Sequence, residues 1–450
     1  MSPDLSTDVV IVGGGSAALT AALTARRQGL EVTVICPSQL GDPASFRGAS
    51  GRDLIWLPDP DYAKSRPLLD DALGSHQEFS TAARRHAFLA AAVQLTQRLD
   101  DWAVGWTTQR HARAGQAGQV VSPSRAHLLA ESPRLVDELA RAASKQEVTI
   151  WQDTQVVNLI SESGGRQVSG VRIVRAEVER TLHANRAVVL AGPGFGADAA
   201  LRREQLPAPT RVAWSKVDPA EHGWSLRLLA DVDADLANMA GAWRAVHGFW
   251  PNAGGLVEID ALLASDDIVI IDATGQRIDL DADQRAIKDR GSAAEAWHAA
   301  LHARQATGSP AIPAWLLADA SLRRELPFPV GRPPRAAVQA REIVVDDQIA
   351  GIANGLRIDP QILARDLPLR SAPQLRRPPF HALQIVPTDF GTRGGAAVDE
   401  ASRVLQSGQP IDGLFAVGAA AASIAAEATP ADGFAATEAL AFASTLDFSS

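Results

Sequence analysis

The stretch DVVIVGGGSAALTAALTARRQGLEVTVI, residues 8–35, limits what this chain can fold into more than any other part of it. Residues 9–12 are an apolar run rich in β-branched side chains, the pattern of a parallel strand buried on both faces. Gly13, Gly14 and Gly15 follow at once, then alanines and leucines with helical spacing, and residues 32–35 form a second apolar strand. Gly13 permits a tight turn, Gly15 lets the backbone approach a pyrophosphate without a Cβ in the way, and Ala18 gives the small third position at which helix and strand pack closely. A pyrophosphate then sits at the helix N-terminus, against free N–H groups and the positive end of the dipole. The spacing predicts a dinucleotide-binding turn; the alternative is a structural strand–helix–strand turn without a ligand. The second strand lacks the Asp or Glu that usually ends it and holds the ribose hydroxyls. Cys36 and Pro37 stand there instead, so ribose binding is either weaker or shifted to Ser38 or Gln39.

A chain of 450 residues exceeds what one hydrophobic core usually supports, so two domains are expected. The net charge of −9, with no basic run longer than Arg-Arg, argues against nucleic acid or an anionic membrane as partner. A single cysteine excludes an internal disulfide framework and suits the cytoplasm. MSPDLSTD is short and polar, which predicts no signal peptide, and no apolar run approaches the ~20 residues of a membrane span.

Along the chain, residues 37–62 are rich in Gly, Ser, Pro and Asp and read as a loop, in which Ser50 and Gly51 offer backbone N–H groups to a ligand or simply face solvent. Residues 70–106 have helical periodicity, with Leu89, Ala92, Leu95 and Leu99 on one face and Trp102 and Trp106 continuing it into the core. A second amphipathic helix is predicted over 133–144. A β-meander follows, with strands near 148–151, 156–161, 168–176 and 180–182, then a buried strand at 187–190 that runs into AGPGFG. Residues 221–240 are predicted as a helix facing the core through Leu226, Leu229 and Leu236. A strand at 267–272, a turn at 273–275 and a helix at 293–304 come next. Residues 327–334 and 368–379 read as connections. The late block Thr392–Arg393–Gly394–Gly395 precedes a strand at 414–417 that ends at Gly418 and feeds an alanine-rich helix.

These blocks together resemble the flavoproteins that include fumarate reductases, succinate dehydrogenase flavoprotein subunits and 3-ketosteroid dehydrogenases. The resemblance rests on DVVIVGGGSAALTAALTA, AVVLAGPGFGADAALR, GQRI, PPFHA, GTRGGAAVDEASRVL and GLFAVGAAAAS, spread over nearly the whole chain in the family's order. It implies an α/β fold: a Rossmann-like FAD-binding domain built from both chain ends, residues 1–243 and 366–450, with an inserted α+β capping substrate domain at 244–365. It implies FAD as cofactor, with contacts from Gly13, Gly14, Gly15, Ser16, Ala17, Cys36, Ser50, Gly51, Val156, Ala191, Gly192, Gly418 and Gly433. The implied reaction is two-electron transfer across a C–C bond beside a carbonyl or carboxylate, with a hydride exchanged at flavin N5 and a proton handled by a protein acid or base.

In this family the cap carries a motif like GRRFxNE, with the acid/base four residues after the Glu. The segment here is GQRIDLDADQR, which puts Asp281 at the Glu position and Arg285 at the acid/base position, as in fumarate reductases. Arginine is ordinarily always protonated, so Arg285 needs an acid partner such as Asp281 to pass a proton. The alternating charges of 279–290 also fit a solvated helix face. The family's histidine before the TxGG block is replaced by Gly391, and the last loop, EATPADGFAATEA, has no Arg to clamp a dicarboxylate. Arg393 is the remaining source of bidentate recognition. Tyr62 is the only tyrosine, so the steroid-type pair of tyrosines cannot be assembled. His381 is the best placed of the histidines His111, His247 and His381 as a polar candidate. No spacing suggests a metal site.

The expectation is an FAD-dependent oxidoreductase acting on a small molecule, bulky and apolar given the ten tryptophans and the missing clamp, with an unidentified electron donor or acceptor. Two rivals stand beside it: a flavoprotein fold that no longer catalyses and serves as a binding subunit, and a flavin amine or amino-acid oxidase.

Overall fold

The computed structural model describes residues 5–37, 55–59, 61–73, 79–108, 118–123, 135–219, 221–280, 293–328, 332–366, 375–425 and 429–449. The chain divides into two compact units, one of residues 1–206, 217–243 and 390–450, the other of 207–216 and 244–389.

The first unit is built on a sheet ordered Arg403–Gln406, Gln409–Ala416, Gln167–Arg175, Val178–Leu190, Leu5–Val12, Val32–Ile35 and Thr149–Trp151, with Thr154–Glu162 added against Gln167–Arg175. Leu5–Val12 runs parallel to both its neighbours, with Val9 opposite Val32 and Ala187, and Val12 opposite Ile35 and Leu190. The strand period of two sends successive side chains to opposite faces. Val9 and Ile11 therefore join Leu19, Leu23, Phe88, Phe434 and Leu440 on the helical side. Val10 and Val12 join Ile35, Val171, Leu190 and Leu228 on the other. Both faces are covered, which is why these runs read as continuously apolar. Each fully buried Val or Ile contributes about 1.5–3 kcal/mol. The two ends of the chain meet here: Gln28 Nε2 donates to the Leu446 carbonyl (2.7 Å) and Gln28 Oε1 accepts from the Phe448 N–H (3.1 Å).

The second unit is a largely antiparallel sheet ordered Gly255–Glu258, Ala242–Trp250, Phe380–Thr392, Ala314–Ala318, Val269–Ile271 and Arg277–Ile278, with Ile343–Asp346 also paired to Phe380–Thr392. Ile270, Leu316 and Leu383 pack with Trp297 and Leu301 of the helix Ala293–Ala306 on one face. Val269, Ile271, Leu317 and Ala382 pack with Ile352 and Leu363 on the other. Among the described residues no helix is long and apolar enough to cross a membrane.

Several local expectations are corrected. The helix expected over 221–240 is only Trp224–Ala230, and Leu236 is 46% exposed in a two-residue strand. Asp233 takes a left-handed φ of +46°, and the Ala234 N–H donates back to the Leu229 carbonyl (3.1 Å), closing the helix without a glycine. Asp235 then accepts from the Ser407 and Gly408 N–H groups (3.1 and 2.7 Å) instead of continuing a helix. The stretch 70–106 contains two helices past residue 80, Ala82–Ala92 and Leu95–Asp101, and Trp106 lies in the strand Trp106–Thr108. Ala103 at φ +55° ends the second helix, with the Val104 N–H returning to the Leu99 carbonyl (2.8 Å). The strands expected at 180–182 and 187–190 are one, Val178–Leu190. The segment after 366, expected to rejoin the first domain, first supplies Phe380–Asp389 to the second unit's sheet, paired on both edges, before the chain returns at Phe390.

Candidate functional site

The glycine turn is held by its neighbours on both sides. The Gly13 N–H donates to the Ile35 carbonyl (2.9 Å), and the Ala191 N–H donates to the Val12 carbonyl (2.9 Å). Gly13 has φ +141°, and a Cβ there would lie 2.3 Å from the Ala191 carbonyl oxygen, so no larger residue fits. The structure thereby brings Gly13 beside Ala191 and Gly192. Gly192 is equally confined, since a Cβ would lie 2.3 Å from the Trp224 ring.

Gly15 is the extended N-cap of the helix Ser16–Arg27 and supplies no side chain to its first N–H groups. That first turn has no acidic residue, while Arg26 and Arg27 occupy the last. No acidic side chain of the helix itself offsets the positive end of its dipole. The Ser16 hydroxyl, in a residue only 1% exposed, has no hydrogen-bond partner among the described residues. Ala17 is the contact point for the C-terminal return. Gly418, at φ +63°, approaches so closely that a Cβ there would lie 2.9 Å from the Ala17 Cβ. The strand Gln409–Ala416 delivers Gly418 by pairing parallel to Val178–Leu190, with Ala416 opposite Leu190. Gly433 is the left-handed N-cap of the final helix, Phe434–Ser444. Cys36 is buried at the end of the second strand. Its N–H donates to the Trp151 carbonyl (2.8 Å) and its carbonyl accepts from the Thr154 N–H (3.1 Å), with half-buried Val156 two residues further on.

Arg393 is 2% exposed, its guanidinium 4.3 Å from the centre of the Trp243 ring and its Nη2 donating to Thr429 Oγ1 (3.0 Å). Its N–H donates to the Gly241 carbonyl (2.9 Å). The preceding Thr392 Oγ1 accepts from the Phe195 N–H (3.2 Å), which joins the TRGG block to the AGPGFG loop. His381 lies in the second unit, on the central strand between Ala318 and Val345, 1% exposed and 6.0 Å from the Phe328 ring. Burial pushes its pKa down. Ser50, Gly51, Asp281, Arg285 and His111 lie outside the described residues.

The model of the FAD binding domain family matches residues 8–435. The chain belongs to that family. FAD is its cofactor, and the confined glycine cradle, the helix start without an acidic residue of its own and the unpartnered Ser16 hydroxyl fit a pyrophosphate at this turn. The chain is 27% identical to a 3-oxosteroid 1-dehydrogenase of Comamonas testosteroni, over 69% of this chain and 59% of that protein's length. It is 25% identical to a 4-oxocyclohexanecarboxylate 2-dehydrogenase of Sinomonas cyclohexanicum, over 96% of this chain and 90% of that one. Its fold is similar to a 3-ketosteroid delta1-dehydrogenase of Sterolibacterium denitrificans, with a TM-score of 0.81 at 21% identity, covering 97% of this chain and 98% of that one. It is also similar in fold to a flavocytochrome c3 fumarate reductase, with a TM-score of 0.70 at 18% identity, covering 98% of this chain and 78% of that one.

Two residues near this region had drawn no attention in the sequence. Arg84, 2% exposed, donates through Nη2 to the Ala422 carbonyl (3.0 Å) and through Nη1 to the Phe79 carbonyl. Glu438 accepts from Ser423 Oγ (2.6 Å) and the Ile424 N–H (2.7 Å). Burial pushes the Glu438 carboxyl up, against the opposing pull of those bonds and of the Arg84 and Arg393 charges. The available signal was a lone carboxylate in the otherwise uncharged helix FAATEALAFAS.

Proposed function

We propose that this chain is an FAD-dependent oxidoreductase that introduces or reduces a C–C double bond beside the carbonyl of a bulky, apolar cyclic ketone. When bound, FAD supplies the two-electron partner for a hydride at its N5. In the desaturating direction two C–H bonds break and one C=C bond forms. The hydride leaves one carbon and the proton leaves the carbon next to the carbonyl, where acidity is greatest. Gly13, Gly15 and Ser16 hold the pyrophosphate, and Gly418 places the C-terminal return against the same helix. Arg393 is the candidate grip on the substrate oxygen: its charge is buried and aligned by Trp243 and Thr429, and a guanidinium stabilises an oxygen that gains negative charge. Arg285, with Asp281 as its acid partner, is the candidate for moving the proton.

The observation that carries the reading is the cradle at Gly13, Ser16 and Ala191 within a chain matched to the FAD family over 8–435. The ketone class is supported by the names of the two relatives, both of which carry a ring ketone in their substrate. The test is an absorbance spectrum of purified protein, followed by a screen of cyclic ketones, enones and enoates with an artificial electron acceptor or donor. Flavin bands and turnover of a cyclic ketone, abolished in Arg285→Ala with flavin still bound, are expected. A protein that takes up no FAD sinks the enzyme reading. Peroxide released from amines alone moves it to the oxidase class, and full activity in Arg285→Ala removes that residue from the mechanism.

A further inference from the structure

Residues 421–425 follow the turn Gly418–Ala420, and polar groups from four distant parts of the first unit converge on them. The Ala422 N–H donates to the Ala396 carbonyl (2.9 Å), and the Ala422 carbonyl accepts from Arg84 Nη2 (3.0 Å). The Ser423 N–H donates to the Arg393 carbonyl (2.9 Å), while the Ser423 and Ala425 carbonyls both accept from Asn238 Nδ2 (3.3 and 3.0 Å). Glu438 completes the set through the Ile424 N–H and Ser423 Oγ, and that same Oγ accepts from the Ala425 N–H (3.0 Å). Arg84 also lies 5.4 Å from the ring of Phe442, one turn beyond Glu438 on the final helix.

Such an arrangement is costly. A carboxylate and a guanidinium give up their hydration to satisfy a short piece of backbone that water satisfies at no such penalty. The short turn Gly418–Ala420 joins the segment they hold to the glycine that packs on Ala17, the second residue of the cofactor helix. We propose that Glu438, with Arg84, is a positioning residue for the flavin site. Together they clamp residues 422–424, keep Gly418 pressed against Ala17, and fix the wall of the cradle that FAD must meet. The inference rests on the FAD reading and assigns to Glu438 no contact with substrate or cofactor.

Shape and charge can be separated at this position. In Glu438→Gln, Oε1 still accepts from the Ile424 N–H and the amide still pairs with the rotatable Ser423 hydroxyl. In Glu438→Leu the Ile424 N–H and the Ser423 O–H lose their acceptor in the core. Ser444→Ala serves as the control at the far end of the same helix, where Ser444 Oγ donates to the Ala441 carbonyl (2.8 Å).

The experiment measures the FAD dissociation constant of the full chain by flavin fluorescence, with visible circular dichroism of the bound flavin and a thermal melt beside it. Glu438→Leu is expected to weaken FAD about tenfold or more and to change the flavin dichroism, while Glu438→Gln stays within about threefold of wild type. Ser444→Ala is expected to change at most the melting temperature, with FAD affinity within about threefold of wild type. Should Glu438→Leu not fold, Ser423→Ala takes its place, with an expected loss of about fivefold. FAD affinity unchanged in Glu438→Leu, or in Ser423→Ala where that variant replaces it, overturns the inference. So does an equal loss in Ser444→Ala, because the effect then belongs to the helix as a whole. Wild-type protein that binds no FAD overturns the flavin reading and this inference with it.

Discussion

The two units spend their buried polar groups differently. In the first, Arg84, Asn238 and Glu438 converge on one five-residue segment beside the cofactor turn. In the second, three buried carboxylates tie turns and strand ends of that unit to one another. Asp319 accepts from the N–H groups of Ser321, Arg376 and Arg377 (2.7, 2.7 and 2.9 Å). Glu342 accepts from the Asn252 N–H and Nδ2 (3.1 and 2.6 Å), and Asp272 from Thr274, Gln276 and Arg304. The physics is the same in both, a desolvated oxygen satisfied by N–H donors. What differs is the thing held: a loop against a ligand site in one unit, a sheet against itself in the other. Substitutions should therefore change ligand affinity in the first unit and stability alone in the second.

Asp319→Ala gives the largest effect expected of this contrast. Burial alone would push the Asp319 carboxyl up, but the bonds from Ser321, Arg377 and Arg376 outweigh it and hold the pKa below the usual range. Removing the carboxylate orphans three backbone N–H groups in a residue site only 4% exposed, a loss of about 3 kcal/mol or more. Urea unfolding should show that loss while the FAD affinity of the folded protein stays at the wild-type value. FAD weakened as much as in Glu438→Leu would break the comparison.

A smaller effect, with a pH signature, is expected from His247. Its Nδ1 lies 2.6 Å from Thr388 Oγ1, and burial, helped by Lys216, lowers its pKa to about 3 from 6.5. The folded protein thus keeps this ring neutral where the unfolded chain protonates it. The stability is fully present above the unfolded value and declines on acidification through the window down to the folded one. The slope from this one group is about 1.4 kcal/mol per pH unit below about pH 6.5. Comparing urea midpoints of wild type and His247→Gln between pH 7 and 5.5 isolates it. A wild-type midpoint that falls no faster than the variant's would place the proton elsewhere.

The cofactor turn was legible because its glycines, its β-branched strands and its helix are constrained locally, and the family's order of blocks extended that reading to FAD. The failed helix at 221–240 and the strand at Trp106 share one cause. Asp233 and Ala103 adopt left-handed backbone without being glycine, and the bonds that pay for this, to Leu229 and Leu99, cannot be seen as a residue type. Phe380–Asp389 was missed as part of the second unit because its partners, Ala314–Ala318 and Ile343–Asp346, lie far away in sequence. The clamp on 421–425 was hidden for the same reason. Arg84 and Glu438 are separated by most of the chain, and neither is part of a motif.

The smallest expected effect is the one that most sharpens the contrast, because its sign depends on the ligand. Ser16 Oγ is buried at the start of the cofactor helix without a partner among the described residues. An unsatisfied buried hydroxyl costs free energy, so Ser16→Ala should leave the FAD-free protein as stable as wild type or raise it by up to about 1 kcal/mol. Once FAD is bound, a phosphate oxygen can accept a hydrogen bond from that hydroxyl, and losing the bond should weaken FAD about fivefold. The FAD-dependent rise in melting temperature should then be smaller in the variant at any fixed FAD concentration. A structural serine would behave in the opposite way, with the FAD-free protein destabilised and the affinity untouched. That result would assign the hydroxyl to the protein core and leave the pyrophosphate to the helix N–H groups alone.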